Sequence, residues 1–160
     1  MKRMTHILLM AAIACLFTAM PLMAAPLKVL IVDGQNNHNW RETTPVLKEL
    51  LETTKLFTVD VATSPDKGQD MSGFKPDFAA YDVVVMNYTG ADWPQETRDA
   101  LEAYISGGGG LVCYHAADNA FPNWKAYNEM IAVGWTPVAV DTIDGINTLV
   151  WRHPSGNLHL

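Results

Sequence analysis

Two near-continuous apolar runs, residues 27–34 (LKVLIVDG) and 81–88 (YDVVVMNY), constrain the fold more than any other feature. Neither has the regular apolar–polar alternation of a half-exposed strand. Strands that are buried on both faces have this composition, and they occur in parallel sheets covered by helices. The pattern therefore predicts an α/β fold, an open parallel sheet with helices on both faces.

The segments between these runs alternate between helical and strand periodicity. We expect a first helix within 41–54, an edge strand at 57–62, a second helix from about residue 92 to the glycines at 107–110, a strand at 111–114 and a third helix at 121–133. Thr43 or Thr44 is the expected cap of the first helix, with Pro45 in its first turn. Ligands bind beyond the carboxyl ends of the strands in such sheets, which predicts a site formed by loops 34–40, 89–93 and 115–123.

Residues 1–24 have the order of a secretory signal peptide. Lys2 and Arg3 precede an apolar stretch at 7–20, and small residues follow near Ala24. The apolar stretch is shorter than the roughly 20 residues that a membrane span needs. We therefore expect a secreted or periplasmic protein with no stable membrane span after cleavage.

Charge and cysteine content narrow the classes of function. Cleavage removes Lys2 and Arg3 and no acidic residue, so the net charge changes from −6 to −8. An acidic chain without a basic stripe is not expected to bind nucleic acid. Cys113 is the one cysteine that remains, so a hydrophobic core and not a disulfide is expected to hold the domain, which we place at residues 25–135.

The segment 107–119 (GGGGLVCYHAADN) predicts a tight turn that presents one side chain. Such a turn needs small residues two positions before and after its centre. Leu111 and His115 flank Cys113, whereas Cys113 and Ala117 flank His115, so the spacing favours His115. The alternatives are a reactive thiol at Cys113, which as a strand cysteine more often acts as a small hydrophobe, and a packed structural histidine at His115.

Two segments, KVLIVDGQNNHNW and VVVMNYTGADWPQETRDALEAYISGGGGLVCYHAADNAFPNWKAYNEMI, resemble the ThuA-like (trehalose utilisation) family. The resemblance implies a class I glutamine amidotransferase-like, flavodoxin-like fold. It also implies that His115 stands where amidotransferases have a nucleophilic cysteine. The chain is therefore expected not to be a glutamine amidotransferase.

The resemblance also implies a set of pocket residues that suits a small carbohydrate. The expected substrate-binding residues are His38, Trp40, Asn87, Gly90, Phe121, Trp124 and Tyr127. Aromatic faces stack on sugar rings, and histidine and asparagine bond to hydroxyl groups. The alternatives are helix core for Phe121, Trp124 and Tyr127, whose spacing is helical, and a solvated loop position for His38.

Residues 136–160 depart from the family pattern after Trp135. Strands at 138–140 and 147–151 around Asp144-Gly145 would form a hairpin, and the segment also fits a truncated or divergent tail. A parallel sheet that lacks strands at this end is incomplete at its C-terminus and leaves an edge exposed. Such an edge favours a homo-oligomer.

The sequence leaves three functions open. The first is an enzyme that acts on carbohydrate outside the cytoplasm, either glycoside hydrolase-like or processing a keto-sugar, in which His115 is the general base and Asp118 or Asp33 orients it. The second is a non-catalytic sugar-binding or accessory module, or an inactive fragment. The third is a metal site with His38, His115 and Asp118 as ligands, which no tight ligand spacing supports. No cofactor is expected.

Overall fold

A computed structural model describes residues 25–132, 139–143, 146–152 and 158–159. The signal peptide predicted for residues 1–24 lies outside the described residues, as does the Asp144-Gly145 turn. Within the described part of the chain, no helix is both long enough and apolar enough to cross a membrane.

The core of the fold is a four-stranded sheet in which every strand is parallel to its neighbours. The strands are β1 (Leu27–Asp33), β2 (Phe57–Thr63), β3 (Val83–Met86) and β4 (Gly110–Cys113), and their order is β2-β1-β3-β4. The first four strands of a flavodoxin-like sheet have this order. The predicted α/β class and the edge position of the second strand are confirmed.

Helices cover both faces of the sheet, as predicted. Helix α1 (Trp40–Thr53) packs on one face, where Leu47 and Leu51 contact Val29 and Ile31. Helices α2 (Gln95–Ser106) and α3 (Lys125–Ile131) cover the other face, which holds the larger, aromatic-rich core. Alternate β1 residues therefore enter two different cores, which is why the strand is apolar throughout.

The start of α1 differs from the sequence prediction. The helix begins at Trp40 after Asn39, several residues before the predicted caps. The hydroxyl groups of Thr43 and Thr44 instead accept hydrogen bonds from Nδ2 of Asn87, at 3.1 and 3.0 Å. Pro45 consequently lies inside the helix.

The end of α2 follows the predicted glycine signal, but α3 is shorter than expected. The backbone N–H of Gly109 donates to the Tyr104 carbonyl, and Gly108 has a φ of +98°, which only glycine adopts readily. Helix α3 begins at Lys125 and not at residue 121. Phe121 has a φ of +52°, which is incompatible with a helix that starts there.

The tail contains antiparallel pairing where the sequence predicts a hairpin. Strands β5 (Ala139–Ile143) and β6 (Ile146–Arg152) pair antiparallel, and β7 (Leu158–His159) pairs with the end of β6.

Candidate functional site

The carboxyl end of β4 presents His115 on a strained turn. The strand ends at Cys113, and His115 has a φ of +47°, a left-handed conformation that is unfavourable for residues other than glycine. The next two residues, Ala116 and Ala117, are buried, so a larger side chain would not fit beneath the turn. The imidazole of His115 is exposed. The strand therefore delivers the histidine outward while the cysteine stays in the sheet.

The loop after β1 is fixed to its neighbours by Gly34 and Gln35. Gly34 has a φ of +113°, and a Cβ atom there would collide with Ser64. The side-chain amide of Gln35 donates from Nε2 to the Pro65 carbonyl at 2.7 Å and accepts at Oε1 from the Ala91 N–H at 2.9 Å. The loop is thus held by the segments that follow both β2 and β3.

Asn36 positions His38 within this loop. Its Oδ1 accepts from the His38 backbone N–H at 2.9 Å, which is an Asx-turn. Its Nδ2 donates to Oδ1 and to the backbone carbonyl of Asn87, at 3.1 and 3.3 Å. His38 is therefore placed relative to the end of β3, although its own side chain is exposed.

His38 and His115 come together across the sheet edge. Their ring centroids are 4.5 Å apart at an interplanar angle of 71°. Both rings line a cavity of about 230 Å³ with four other residues, Asn36, Thr43, Asn87 and Tyr114. We call this cavity the histidine cleft. Two imidazoles this close can contact the same polar group of a ligand, one as donor and the other as acceptor.

Asn87 lines the cleft and Gly90 lines a neighbouring cavity, and both have structural contacts of their own. Asn87 is buried, and its side-chain amide is bonded to Thr43, Thr44 and Asn36. A Cβ atom on Gly90 would collide with Gln35, so glycine is needed there for close packing.

Trp40 and Gly90 line a neighbouring cavity of about 520 Å³. Asn36 belongs to this cavity and to the histidine cleft. The Trp40 ring is half-buried, and the Arg41 guanidinium lies 4.3 Å from its centroid. The structure thus places Trp40 beside the cleft and not inside it.

Asp118 lies on the other side of the His115 turn. It belongs to a short 3₁₀ helix, His115–Asn119, and lines a cavity of about 330 Å³ with Cys113, His115 and Ile131. Burial raises the pKa of the Cys113 thiol; the hydrogen bond with the Tyr127 hydroxyl opposes this shift, and the charge of Asp118 adds to it. A thiol in that state is mostly protonated at neutral pH and is a weak nucleophile.

The three aromatic residues after the turn are in the core. Phe121, Trp124 and Tyr127 are 1%, 6% and 0% exposed, and their rings contact one another. The Tyr127 hydroxyl donates to the Ala117 carbonyl at 2.8 Å. All three rings are therefore core residues, although only Tyr127 lies within α3 and Phe121 and Trp124 precede it. These residues support the His115 turn from below.

Metal-binding geometry is absent from the described residues. No group of three or more His, Cys, Asp or Glu side chains within residues 25–132 and the described tail strands is close enough to hold a metal ion. His38 and His115 are together, but Asp118 does not complete a set of three with them.

A family model described as ThuA, trehalose utilisation, matches residues 28–154. The chain belongs to the ThuA family. The match continues past Trp135 and includes most of the segment that begins at residue 136.

Two solved structures resemble this chain. A ThuA-like protein from Parabacteroides merdae has 47% sequence identity and a TM-score of 0.69, and the match covers 71% of this chain and 41% of that one. A ThuA-like protein from Bacteroides uniformis has 26% identity and a TM-score of 0.46, covering 66% and 42% of the two chains. The chain thus spans about two fifths of the length of these family members. The comparison with curated proteins gives no match.

Sequence reasoning missed the polar residues that build the cleft around the two histidines. Asn36, Thr43 and Tyr114 line it, and Thr44 binds Asn87 beneath it. The available signal is position, since Asn36 and Tyr114 follow the carboxyl ends of β1 and β4, and Thr43 and Thr44 lie near the start of the helix that follows β1. The pattern around Thr43 and Thr44 predicts capping instead, which is the commoner role of threonine near a helix start.

Proposed function

We propose that this ThuA-family chain is an exported carbohydrate-utilisation protein that binds a small sugar in the histidine cleft. The main support is the pair formed by His38 and His115, whose ring centroids are 4.5 Å apart. The other residues that line their cavity are two asparagines, a threonine and a tyrosine. Such groups bond well to sugar hydroxyls, which both donate and accept. The family description, trehalose utilisation, makes trehalose and related glycosides the first ligands to test.

In the enzymatic form of this proposal, His115 is the acid–base group. Its imidazole is exposed on a turn with a positive φ, and a ligand hydroxyl in the cleft would lie within reach of it. His38 then bonds a second position of the same ligand. Asp118 lines a cavity on the other side of His115 and is the carboxylate that would orient the imidazole from that side. The reaction would be glycoside hydrolase-like.

One observation favours a second candidate, a sugar-binding module without turnover. Ordinary glycosidases act through two carboxylates that flank the scissile bond. Among the described residues, the histidine cleft is lined by no carboxylate. A module of this kind would bind the sugar through the same side chains and leave it unchanged.

Turnover assays separate the two candidates. The full chain is incubated with trehalose and with 3-keto-glycosides, and product sugars are quantified. If the chain is an enzyme, we expect turnover. His115→Ala should abolish it, and Glu49→Ala, on the exposed face of α1, should leave it unchanged. If the chain is a binding module, we expect the sugar to raise its melting temperature without turnover. His115→Ala should abolish this stabilisation. Neither turnover nor stabilisation by any of these sugars would contradict the proposal.

A further inference from the structure

Asp33, the last residue of β1, has a buried carboxylate whose bonding is incomplete. The residue is 1% exposed, and its Oδ1 has no hydrogen-bond partner among the described residues. A buried carboxylate without a partner is strongly unfavourable, so such a group in a folded protein calls for an explanation.

The carboxylate borders a cavity of about 320 Å³ on the α1 face of the sheet. This cavity, which we call the Asp33 cavity, is lined by Asp33, Trp40, Pro45, Val61, Lys48 and Arg41, together with Thr44. Its volume is about ten times that of one water molecule in the liquid. It lies within the range of small-molecule sites. A single bound water would therefore leave most of the cavity empty.

The two cations at the cavity are engaged elsewhere. Lys48 is paired with Glu52 at 2.7 Å and also donates to the Val59 carbonyl. Arg41 is paired with Asp66 at 3.0 Å. Each cation already has a carboxylate partner, and neither is paired with Asp33. An uncharged hydroxyl donor can satisfy the Asp33 oxygen without displacing these pairs.

The remaining walls suit the apolar side of a sugar ring. Trp40, Pro45 and Val61 present aromatic and aliphatic surface, and Asp33 offers an acceptor for hydroxyl groups. Trp40 and Arg41 also line the cavity of about 520 Å³ beside the first loop, and that cavity shares Asn36 with the histidine cleft. The three cavities thus form a series with common walls around residues 33–44.

We infer that the Asp33 cavity is a second carbohydrate subsite, which holds another glycosyl unit of the ligand whose first unit occupies the histidine cleft. The inference rests on the proposed function and adds to it that the ligand has more than one sugar unit. Asp33 accepts hydrogen bonds from hydroxyls of this second unit, and Trp40 contacts its ring. Asp33 and Trp40 are binding residues in this arrangement and take no part in bond cleavage.

Calorimetric titration of the full chain with trehalose and with glucose tests the subsite. Asp33→Asn keeps the shape of the side chain and removes its charge, and Val61→Phe fills the cavity from the edge strand. Val46→Ala is the control, because Val46 is 54% exposed on α1 and lies outside the cavity. We expect each cavity variant to weaken trehalose binding at least ten-fold, with glucose binding and the control unchanged. Thermal melts check that each variant is folded.

The outcomes separate this inference from the proposed function. Unchanged trehalose affinity in both folded cavity variants, with binding still lost in His115→Ala, overturns the subsite alone. Equal weakening of trehalose binding and glucose binding in Asp33→Asn also overturns it, because Asp33 would then affect the binding of a single glucose unit. If the wild-type chain binds neither sugar, the subsite and the proposed function both fail.

Discussion

Asn36 and Asn87 are joined by two hydrogen bonds, from Nδ2 of Asn36 to the side-chain oxygen and to the backbone carbonyl of Asn87. The Asn87 amide in turn donates to Thr43 and Thr44 at the start of α1. One buried side chain therefore connects the end of β3 with the loop that carries His38 and with the first helix. The position of His38 depends on this connection.

Replacing Asn87 with alanine should destabilise the fold and loosen the first loop. The substitution removes three side-chain hydrogen bonds and leaves buried polar partners unsatisfied, at a cost of about 2–3 kcal/mol in the free energy of unfolding. Urea denaturation measures this change. Asn37→Ala, at an exposed position in the same loop, is the control and should change stability by less than about 0.5 kcal/mol. Equal effects of the two substitutions would contradict the role given to Asn87.

The sequence was sufficient for the sheet because burial on both faces leaves a direct mark on composition. The runs around Val29–Val32 and Val83–Met86 are apolar at every position, and the structure places their alternate residues in the two cores. Gly108 ended α2 as expected, since its positive φ is a local property of one residue. Each of these features leaves a mark in the local sequence, although the sheet itself pairs distant residues such as Val29 and Val83.

The site was less predictable because its contacts are long-range. Thr43 and Thr44 bind Asn87, more than 40 positions away, and no local pattern distinguishes that role from capping. The spacing of Phe121, Trp124 and Tyr127 fits a binding surface and a helix core equally well, and only packing decides. The pairing of His38 with His115 followed from topology, because parallel strands bring their carboxyl ends to one edge.

The backbone conformation of His115 predicts that a glycine substitution there is more stable than an alanine substitution. Because φ is +47° there, His115→Gly should be more stable than His115→Ala by about 1 kcal/mol, since the left-handed conformation penalises alanine and not glycine. Chemical denaturation of both variants gives the difference. The same comparison at Ala103, an exposed position in α2, should have the opposite sign by about 1 kcal/mol. A less stable glycine variant at position 115 would rule out the strained turn.

Cys113 should react slowly with alkylating reagents. Burial raises the pKa of its thiol above the ordinary value, so the thiolate that reacts is scarce at neutral pH. Peptide-level mass spectrometry after iodoacetamide treatment should show a rate below that of glutathione at pH 7.5, rising steeply only in more alkaline solution. Modification as fast as that of a free thiol at pH 7.5 would restore Cys113 as a candidate nucleophile.

Alkaline pH should destabilise the fold through buried tyrosines. Burial raises the pKa of Tyr88 to about 12, and burial also raises the pKa of Tyr127. Unfolded tyrosines ionise near pH 10, so above that pH the folded state holds more protons and the free energy of unfolding falls as pH rises. Urea denaturation between pH 8 and pH 11.5 measures the decline. Tyr88→Phe should flatten it, and an equally steep decline in that variant would contradict the assignment to Tyr88.

His38 and His115 line the same cavity, and we propose that they form one binding cleft. Titration of the histidine-labelled full chain with trehalose, followed by NMR of the imidazole signals, tests this proposal. We expect the signals of His38 and His115 to shift together and to give one dissociation constant. Signals of both histidines that stay fixed throughout the titration, or a shift of one without the other, would contradict it.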